Sequence, residues 1–273
     1  QDGDMDLLYS GGGGTGYFRN NGSTFTQQVV TAYTGARGVG TGDMNGDGYK
    51  DLLIADYNEN DLYWRGYSPG GTFTGIGVTL DINLDFVSLV LAADLDGDGV
   101  QDVVAASGSD IRVYLDPATS GFERRRLNRI LTDARGVCHG AFDDDGDVDM
   151  MAVGLLYVNW YENDGTGKLE AQETREGATR IQIGSGVDMK AADLDGDGDL
   201  DAVLTERTGN KVTWIENQGG GNFVKRLVAN LTNAYSCDVV DFDGDGDLDV
   251  VASNLSGGFI YWYQNNGSEV FTQ

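Results

Sequence analysis

Asp193-Leu194-Asp195-Gly196-Asp197-Gly198-Asp199-Leu200-Asp201 sets a carboxylate at positions 1, 3, 5, 7 and 9 of a nine-residue stretch, with glycine at positions 4 and 6. A hard divalent cation takes six to eight oxygen ligands, and carboxylates at alternate positions of a tight loop converge on one point. Glycine at position 6 permits the sharp turn, the carbonyl of position 7 faces inward, and the acid at position 9 closes the shell. The stretch reads as a calcium loop. Taken alone it would read equally well as a solvated Asp-Gly turn.

It is not alone. Counted from the ninth-position acid, copies end at Asp6, Asp51, Asp102, Asp149, Asp201 and Asp249, in steps of 45, 51, 47, 52 and 48 residues. That is a repeat architecture. The ligand sets expected from the spacing are Asp43, Asn45, Asp47, Tyr49 (by its carbonyl) and Asp51 in the second copy. In the third they are Asp94, Asp96, Asp98, Val100 (carbonyl) and Asp102. The fifth offers Asp193, Asp195, Asp197, Asp199 (carbonyl) and Asp201, and the sixth Asp241, Asp243, Asp245, Asp247 (carbonyl) and Asp249. These make four calcium sites, of which the second copy should bind more weakly because Asn45 keeps an oxygen but loses a charge. The fourth copy has Ala141 at position 1, leaving Asp143, Asp145, the Asp147 carbonyl and Asp149; its ion is in question unless Asp144 or water substitutes. The first copy is partial, with residues 2–6 matching positions 5 to 9.

The chain of 273 residues carries 44 acidic against 18 basic residues, a net charge of −26, and 25 of the acids sit in the six loops. The acidity is local and chelating. A clustered basic face for phosphates is missing, which argues against nucleic acid, and no run of about 20 apolar residues exists to insert in a membrane. Cys138 and Cys237 read as two small buried hydrophobes, because their spacing does not favour adjacent Cβ atoms. Sequons at Asn21, Asn230, Asn254 and Asn266 mark glycosylation candidates.

Each unit has a legible pattern. A short small-residue segment precedes the Asp loop, and a near-continuous apolar run follows it, such as Asp102-Val103-Val104-Ala105-Ala106, as expected of a strand covered on both faces. A third strand leads to an aromatic, with a second bulky residue nine positions later: Trp64 with Phe73, Trp160 with Leu169, Trp214 with Phe223, Trp262 with Phe271. The Gly-rich segment between them reads as a hairpin turn. The tryptophans, locked to the repeat, read as core between units rather than as sugar platforms. Each unit is thus a four-stranded antiparallel meander A–B–C–D with the Asp loop joining A to B.

Units of about 48 residues buried on both faces need neighbours on both sides, and radial closure into a β-propeller supplies them. With its repeated Asp loops and Trp160-Tyr161-Glu162-Asn163-Asp164-Gly165, the chain resembles the FG-GAP or VCBS-type repeat propellers of integrin α-chains, fungal lectins and secreted microbial proteins. The Phe-Gly and Gly-Ala-Pro signatures of the integrin version are absent. The fold expected is therefore an all-β propeller, one domain over 1–273, with units at 1–36, 37–84, 85–133, 134–182, 183–231 and 232–273. The first and last units are incomplete, which suggests a fragment of a longer chain.

The resemblance implies a calcium-stabilised extracellular or cell-surface module for binding or adhesion, recognising carbohydrate or a protein partner. The contacts are expected on the B–C and D–A loops, opposite the Asp loops, at Arg37, Tyr57, Asn58, Arg135, Arg180, Glu206, Arg207 and Tyr235. Two alternatives stay open: a polysaccharide-active, lyase-like enzyme, and a structural segment of a larger extracellular assembly. The sole histidine, His139, falls in a predicted strand two residues before a loop, where a packed role is expected over a catalytic one.

Overall fold

The structure, a computed structural model, describes all residues except 1–4, 33–34, 69–71, 74–77, 109, 119–121, 128–130, 144, 174 and 177–178, and omits the side chains of 173, 175, 176 and 179. The partial loop at 2–6, apart from Met5 and Asp6, and the substitute ligand Asp144 lie outside the described residues. The chain is an all-β propeller chain built from six antiparallel blades. It divides into two compact units, 1–127 and 128–273, each holding three blades.

In the first unit, blade 1 is β1 (Leu7–Gly11), β2 (Gly14–Asn20) and β3 (Phe25–Thr31). Blade 2 is β4 (Ala36–Gly42), β5 (Asp51–Asp56), β6 (Asp61–Arg65) and β9 (Val78–Asp81), with a side hairpin of β7 (Tyr67–Ser68) and β8 (Thr72–Phe73). Blade 3 is β10 (Val87–Ala93), β11 (Asp102–Ser107), β12 (Asp110–Leu115) and β13 (Glu123–Arg126).

In the second unit, blade 4 is β14 (Gly136–Gly140), β15 (Asp149–Val153), β16 (Val158–Asn163) and β17 (Leu169–Glu173), followed by the small hairpin β18 (Arg175–Glu176) and β19 (Thr179–Arg180). Blade 5 is β20 (Gly186–Ala192), β21 (Asp201–Glu206), β22 (Lys211–Asn217) and β23 (Phe223–Asn230). Blade 6 is β24 (Ala234–Val240), β25 (Asp249–Asn254), β26 (Ile260–Asn265) and β27 (Phe271–Thr272).

The apolar run after each Asp loop becomes strand B. Every described residue of β5, β11, β15 and β21 is buried, as a strand covered on both faces must be. The loop is closed by pairing of its ninth residue with the residue before its first: Gly42 with Asp51, Ala93 with Asp102, Gly140 with Asp149, Ala192 with Asp201, Val240 with Asp249. Strands A of neighbouring blades approach closely. A Cβ on Gly38 of β4 would stand 2.8 Å from the Ser88 carbonyl of β10, and one on Gly136 of β14 only 2.9 Å from the Asp188 backbone of β20. Glycine is required at both.

The cores lie between blades. Leu53, Leu62, Trp64 and Leu80 of blade 2 meet Val90, Val103 and Tyr114 of blade 3; Met151 and Val158 of blade 4 meet Leu204, Ile215 and Phe223 of blade 5; Trp214 of blade 5 meets Val250 and Tyr263 of blade 6. Trp64 and Trp214 are core residues as expected, and Trp160 packs at the edge of its cluster. Both cysteines are buried and free.

The C–D hairpins form where the spacing places them, with Asn163 opposite Leu169, Asn217 opposite Phe223 and Asn265 opposite Phe271. Blade 2 departs from the pattern. Phe73 belongs to the β7–β8 side hairpin, and β9 takes the place of strand D. Its C–D connection contains Pro69, which cannot donate to a ladder, followed by Gly70 and Gly71.

Candidate metal loops and the opposite strand ends

The ninth-position aspartate anchors each loop. Its Oδ2 accepts the N–H of position 2, from Met44 (3.1 Å), Leu95 (2.8 Å), Phe142 (3.1 Å), Leu194 (3.0 Å) or Phe242 (3.1 Å). Its Oδ1 accepts an N–H from just beyond or at the end of strand C, from Tyr67 (2.7 Å), Asp116 (3.0 Å), Asn163 (2.8 Å), Asn217 (2.7 Å) or Asn265 (2.8 Å). One buried carboxylate therefore ties strands A, B and C together, and each oxygen keeps a lone pair for an ion, except Asp249 Oδ2, which also accepts the Trp262 indole N–H.

Position 1 closes the loop from the other side. Asp193 accepts the N–H of Gly196 (2.8 Å) on Oδ1 and of Gly198 (3.0 Å) on Oδ2, and Asp94 and Asp241 repeat the arrangement. Both glycines of the fifth loop take left-handed φ, 75° at Gly196 and 102° at Gly198, which is the conformation the motif needs glycine for. Positions 3 and 5 are steered by the N–H groups two residues on, as at Asp195 (3.3 Å) and Asp197 (2.9 Å) in the fifth loop.

Carboxylate oxygens of Asp94, Asp96 and Asp102, of Asp193, Asp195 and Asp197, and of Asp241, Asp243 and Asp249 come within 4.8 Å of one another. An all-oxygen set of this kind suits a hard cation such as calcium. Burial pushes the Asp201 carboxyl up to about 7 against the pull of the Asn217 and Leu194 N–H groups, and that of Asp102 up to about 6. Burial also raises Asp51 and Asp149. The residues fit a divalent ion, whose charge is what these carboxylates lack. The indole N–H of Trp262 donates to Asp249 Oδ2 at 2.9 Å. Trp64, Trp160 and Trp214 pull the Asp51, Asp149 and Asp201 carboxyls down against burial but stop short of hydrogen-bond geometry.

The asparagine ending strand C adds a latch that sequence reading missed. Asn217 Nδ2 donates to the Leu200 carbonyl of its own loop (3.1 Å) and to Phe142 O at position 2 of the preceding blade (2.8 Å). Asn265 does the same with Leu248 (3.2 Å) and Leu194 (3.0 Å). Neighbouring Asp loops of the second unit are thereby physically joined. The signal was present, since asparagine recurs 14 or 16 residues after the ninth aspartate at Asn163, Asn217 and Asn265.

The other ends of the strands carry the expected recognition residues. Arg37 is exposed, with its guanidinium 3.4 Å from the centre of the Tyr57 ring, and Asn58 is exposed beside it. Arg180 lies 3.9 Å over the Tyr157 ring and donates to Asn159 Oδ1 at 2.9 Å. Arg135 is paired with Asp133. Glu206 is engaged internally: 2% exposed, it accepts from Thr213 Oγ1 (2.6 Å), Gly184 N (2.7 Å) and Lys225 Nζ (2.7 Å). The Arg207 N–H donates to Ser185 O, and Tyr235 is 44% exposed. The structure thus brings Arg37, Tyr57 and Asn58 together. His139 is not packed as expected. It is exposed at the Asp-loop end of β14, and crowding there still lowers its pKa.

Asn21, Asn230 and Asn266 are exposed and Asn254 is half-buried. No helix is long and apolar enough to cross a membrane among the described residues.

No curated protein matches the sequence. Among solved structures, the chain is similar to an Agrocybe aegerita lectin described as recognising non-reducing terminal N-acetylglucosamine, with TM-score 0.65, 20% identity, and coverage of 99% of this chain and 75% of that one. It is more distantly similar to the V. cholerae biofilm matrix protein Bap1, with TM-score 0.46, 21% identity, and coverage of 79% of this chain and 34% of that one. The first likeness is one of fold; the second is too loose to bear on function. The FG-GAP-like repeat profile matches residues 1–54, 43–105, 142–204 and 193–252, well over half of the chain, and the chain belongs to that repeat family.

Proposed function

We propose that the chain is a calcium-stabilised extracellular module that binds carbohydrate through the strand ends opposite its Asp loops. The observation that carries this reading is the Arg37–Tyr57 stack with Asn58 beside it, where an exposed guanidinium lies on an aromatic face. Sugars are held in this way, by apolar contact with a ring and by hydrogen bonds from fixed polar groups around it. The fold likeness to a lectin makes terminal N-acetylglucosamine the first sugar to try.

In this reading Asp193, Asp195, Asp197, Asp201 and the Asp199 carbonyl hold one ion, and the loops at 43–51, 94–102 and 241–249 hold the others. The ion supplies positive charge to a turn whose carboxylates repel one another. Binding only the folded loop, it stabilises the A–B connection. Its role is structural, so sugar contact is made by protein groups. Glycosylation at Asn21, Asn230 and Asn266 is compatible with their exposure and belongs to the same extracellular reading.

The test is a glycan and polysaccharide array probed in calcium and again in chelator. Binding in calcium without shortening of the bound polysaccharide is the expected result. Absence of any glycan binding would overturn the carbohydrate reading in favour of a protein partner or a purely structural segment. Shortening that disappears in His139→Ala would replace it with an enzyme.

A further inference from the structure

Eight residues ahead of position 1 of four loops, the connector entering strand A adopts a left-handed conformation: φ is 56° at Phe86, 57° at Asp133, 52° at Ser185 and 53° at Asn233. Aspartate and asparagine tolerate this region because their short polar side chains satisfy the backbone locally; a bulky aromatic is a genuine outlier there. The backbone demand is the same in both kinds of blade. The Phe86 N–H donates to Asn60 Oδ1 at 3.0 Å, as the Asn233 N–H donates to Asn210 Oδ1 at 2.9 Å.

What the side chains do differs. Asn233 donates to Ser256 at the surface, whereas Phe86 offers an apolar ring that is 58% exposed. Its ring meets that of Tyr57 at 5.3 Å between centroids and 38° between planes. Tyr57 in turn carries the Arg37 guanidinium, and no carboxylate pairs with Arg37 among the described residues. Neither backbone preference nor burial accounts for a phenylalanine here. A residue held in a strained backbone conformation, with more than half of its ring left exposed, points to a function at the surface it presents.

We propose that Phe86, Tyr57 and Arg37 form a saccharide-stacking site. The apolar face of one pyranose ring lies on the exposed Phe86 ring, and its hydroxyls are met by Arg37, Asn58 and the exposed Asp85. The proposal rests on the carbohydrate reading above and adds a residue and a place to it. A saccharide is favoured over an apolar peptide because the ring stands among polar donors and acceptors.

The test compares wild type with Phe86→Asn, the residue blade 6 uses at this position, and with Phe86→Tyr, which keeps the ring. Each is run on a glycan array and in a thermal melt. Phe86→Asn is expected to melt at or above the wild-type temperature, because it suits the backbone, and to lose glycan binding by roughly five- to tenfold, the order expected for one aromatic contact. Phe86→Tyr is expected to bind as wild type does. Undiminished binding by Phe86→Asn would overturn the site and leave the carbohydrate reading standing. A lower melt for Phe86→Asn would show the ring to be packing and would also overturn it. Binding to the array's peptide controls instead of its glycans would replace the saccharide by a peptide, and no binding to either would sink both the site and the carbohydrate reading.

Discussion

The fifth and fourth Asp loops sit on adjacent blades of one unit and differ at one ligand. Where Asp193 receives the N–H groups of Gly196 and Gly198, Ala141 has no acceptor to offer. The fourth loop nevertheless keeps its course. Asp149 still accepts from Phe142 (3.1 Å) and Asn163 (2.8 Å), and the Asp147 N–H still donates to Asp145 Oδ1 (2.9 Å). The motif therefore carries two separable jobs. The ninth aspartate builds the loop from backbone N–H groups, and the acids at positions 1, 3 and 5 gather beside it the further oxygens that could hold an ion. A repeat can lose the second job and retain the first. In the fourth loop burial, with the nearby Asp149 charge, pushes the Asp143 carboxyl up to about 6, as burial does to Asp102 and Asp201 in the complete loops.

Removing all ions should have the largest effect. With several sites each adding on the order of 2–3 kcal/mol at saturating calcium, a chelator should lower the melting temperature by about 10 °C or more. Next comes the single-site contrast. Asp197→Ala should lower the melt in calcium by roughly 5 °C, while Asp145→Ala in the already incomplete fourth loop should lower it by no more than about 2 °C. Equal losses would erase the distinction. Ala141→Asp should sharpen it, raising the melt in calcium but not in chelator.

A smaller effect is expected at the latch. Asn217→Ala removes the donor that joins Phe142 O to Leu200 O, leaving buried carbonyls short of a partner at a cost of about 1–2 kcal/mol. Because the latch spans both loops, the loss should persist in chelator, unlike that of Asp197→Ala.

A separate effect is the pH dependence of the metal-free chain. The folded Asp201 carboxyl binds its proton up to about 7 against an ordinary value of 3.8, so between these values the folded state holds more protons than the unfolded one. Stability of the calcium-free protein should fall as pH rises from about 4 to 7. Saturating calcium should remove that slope, and acidification through the same window should weaken calcium binding. A metal-free melt that rises with pH across this window would contradict the assignment of Asp201 as a buried acid awaiting a cation.

The repeat, the loop and the strand that follows it were legible because each is set by local spacing: alternating acids with glycine at positions 4 and 6, then a continuous apolar run. The C–D hairpins followed from the aromatic and the bulky residue nine positions later. Blade 2 escaped because the inserted β7–β8 hairpin takes Phe73 out of strand D. The recognition residues were only half legible. Arg37, Tyr57 and Asn58 come together, but Glu206 is drawn inward by Thr213 and Lys225, contacts made across strands that sequence spacing does not reveal. Phe86 was missed because its oddity lies in the backbone angle at a connector position, visible only when four blades are compared. His139 was expected to pack because its equivalents Thr41, Ala92, Ala191 and Val239 are small or apolar, yet its side chain reaches solvent at the loop end of β14.

The most direct measurement is a calorimetric calcium titration of the chelator-treated wild type beside Ala141→Asp. The two-job account predicts four sites in the wild type, from the loops at 43–51, 94–102, 193–201 and 241–249, and one more in the variant. A wild type that takes up no calcium would contradict it outright, and so would a variant whose stoichiometry is unchanged.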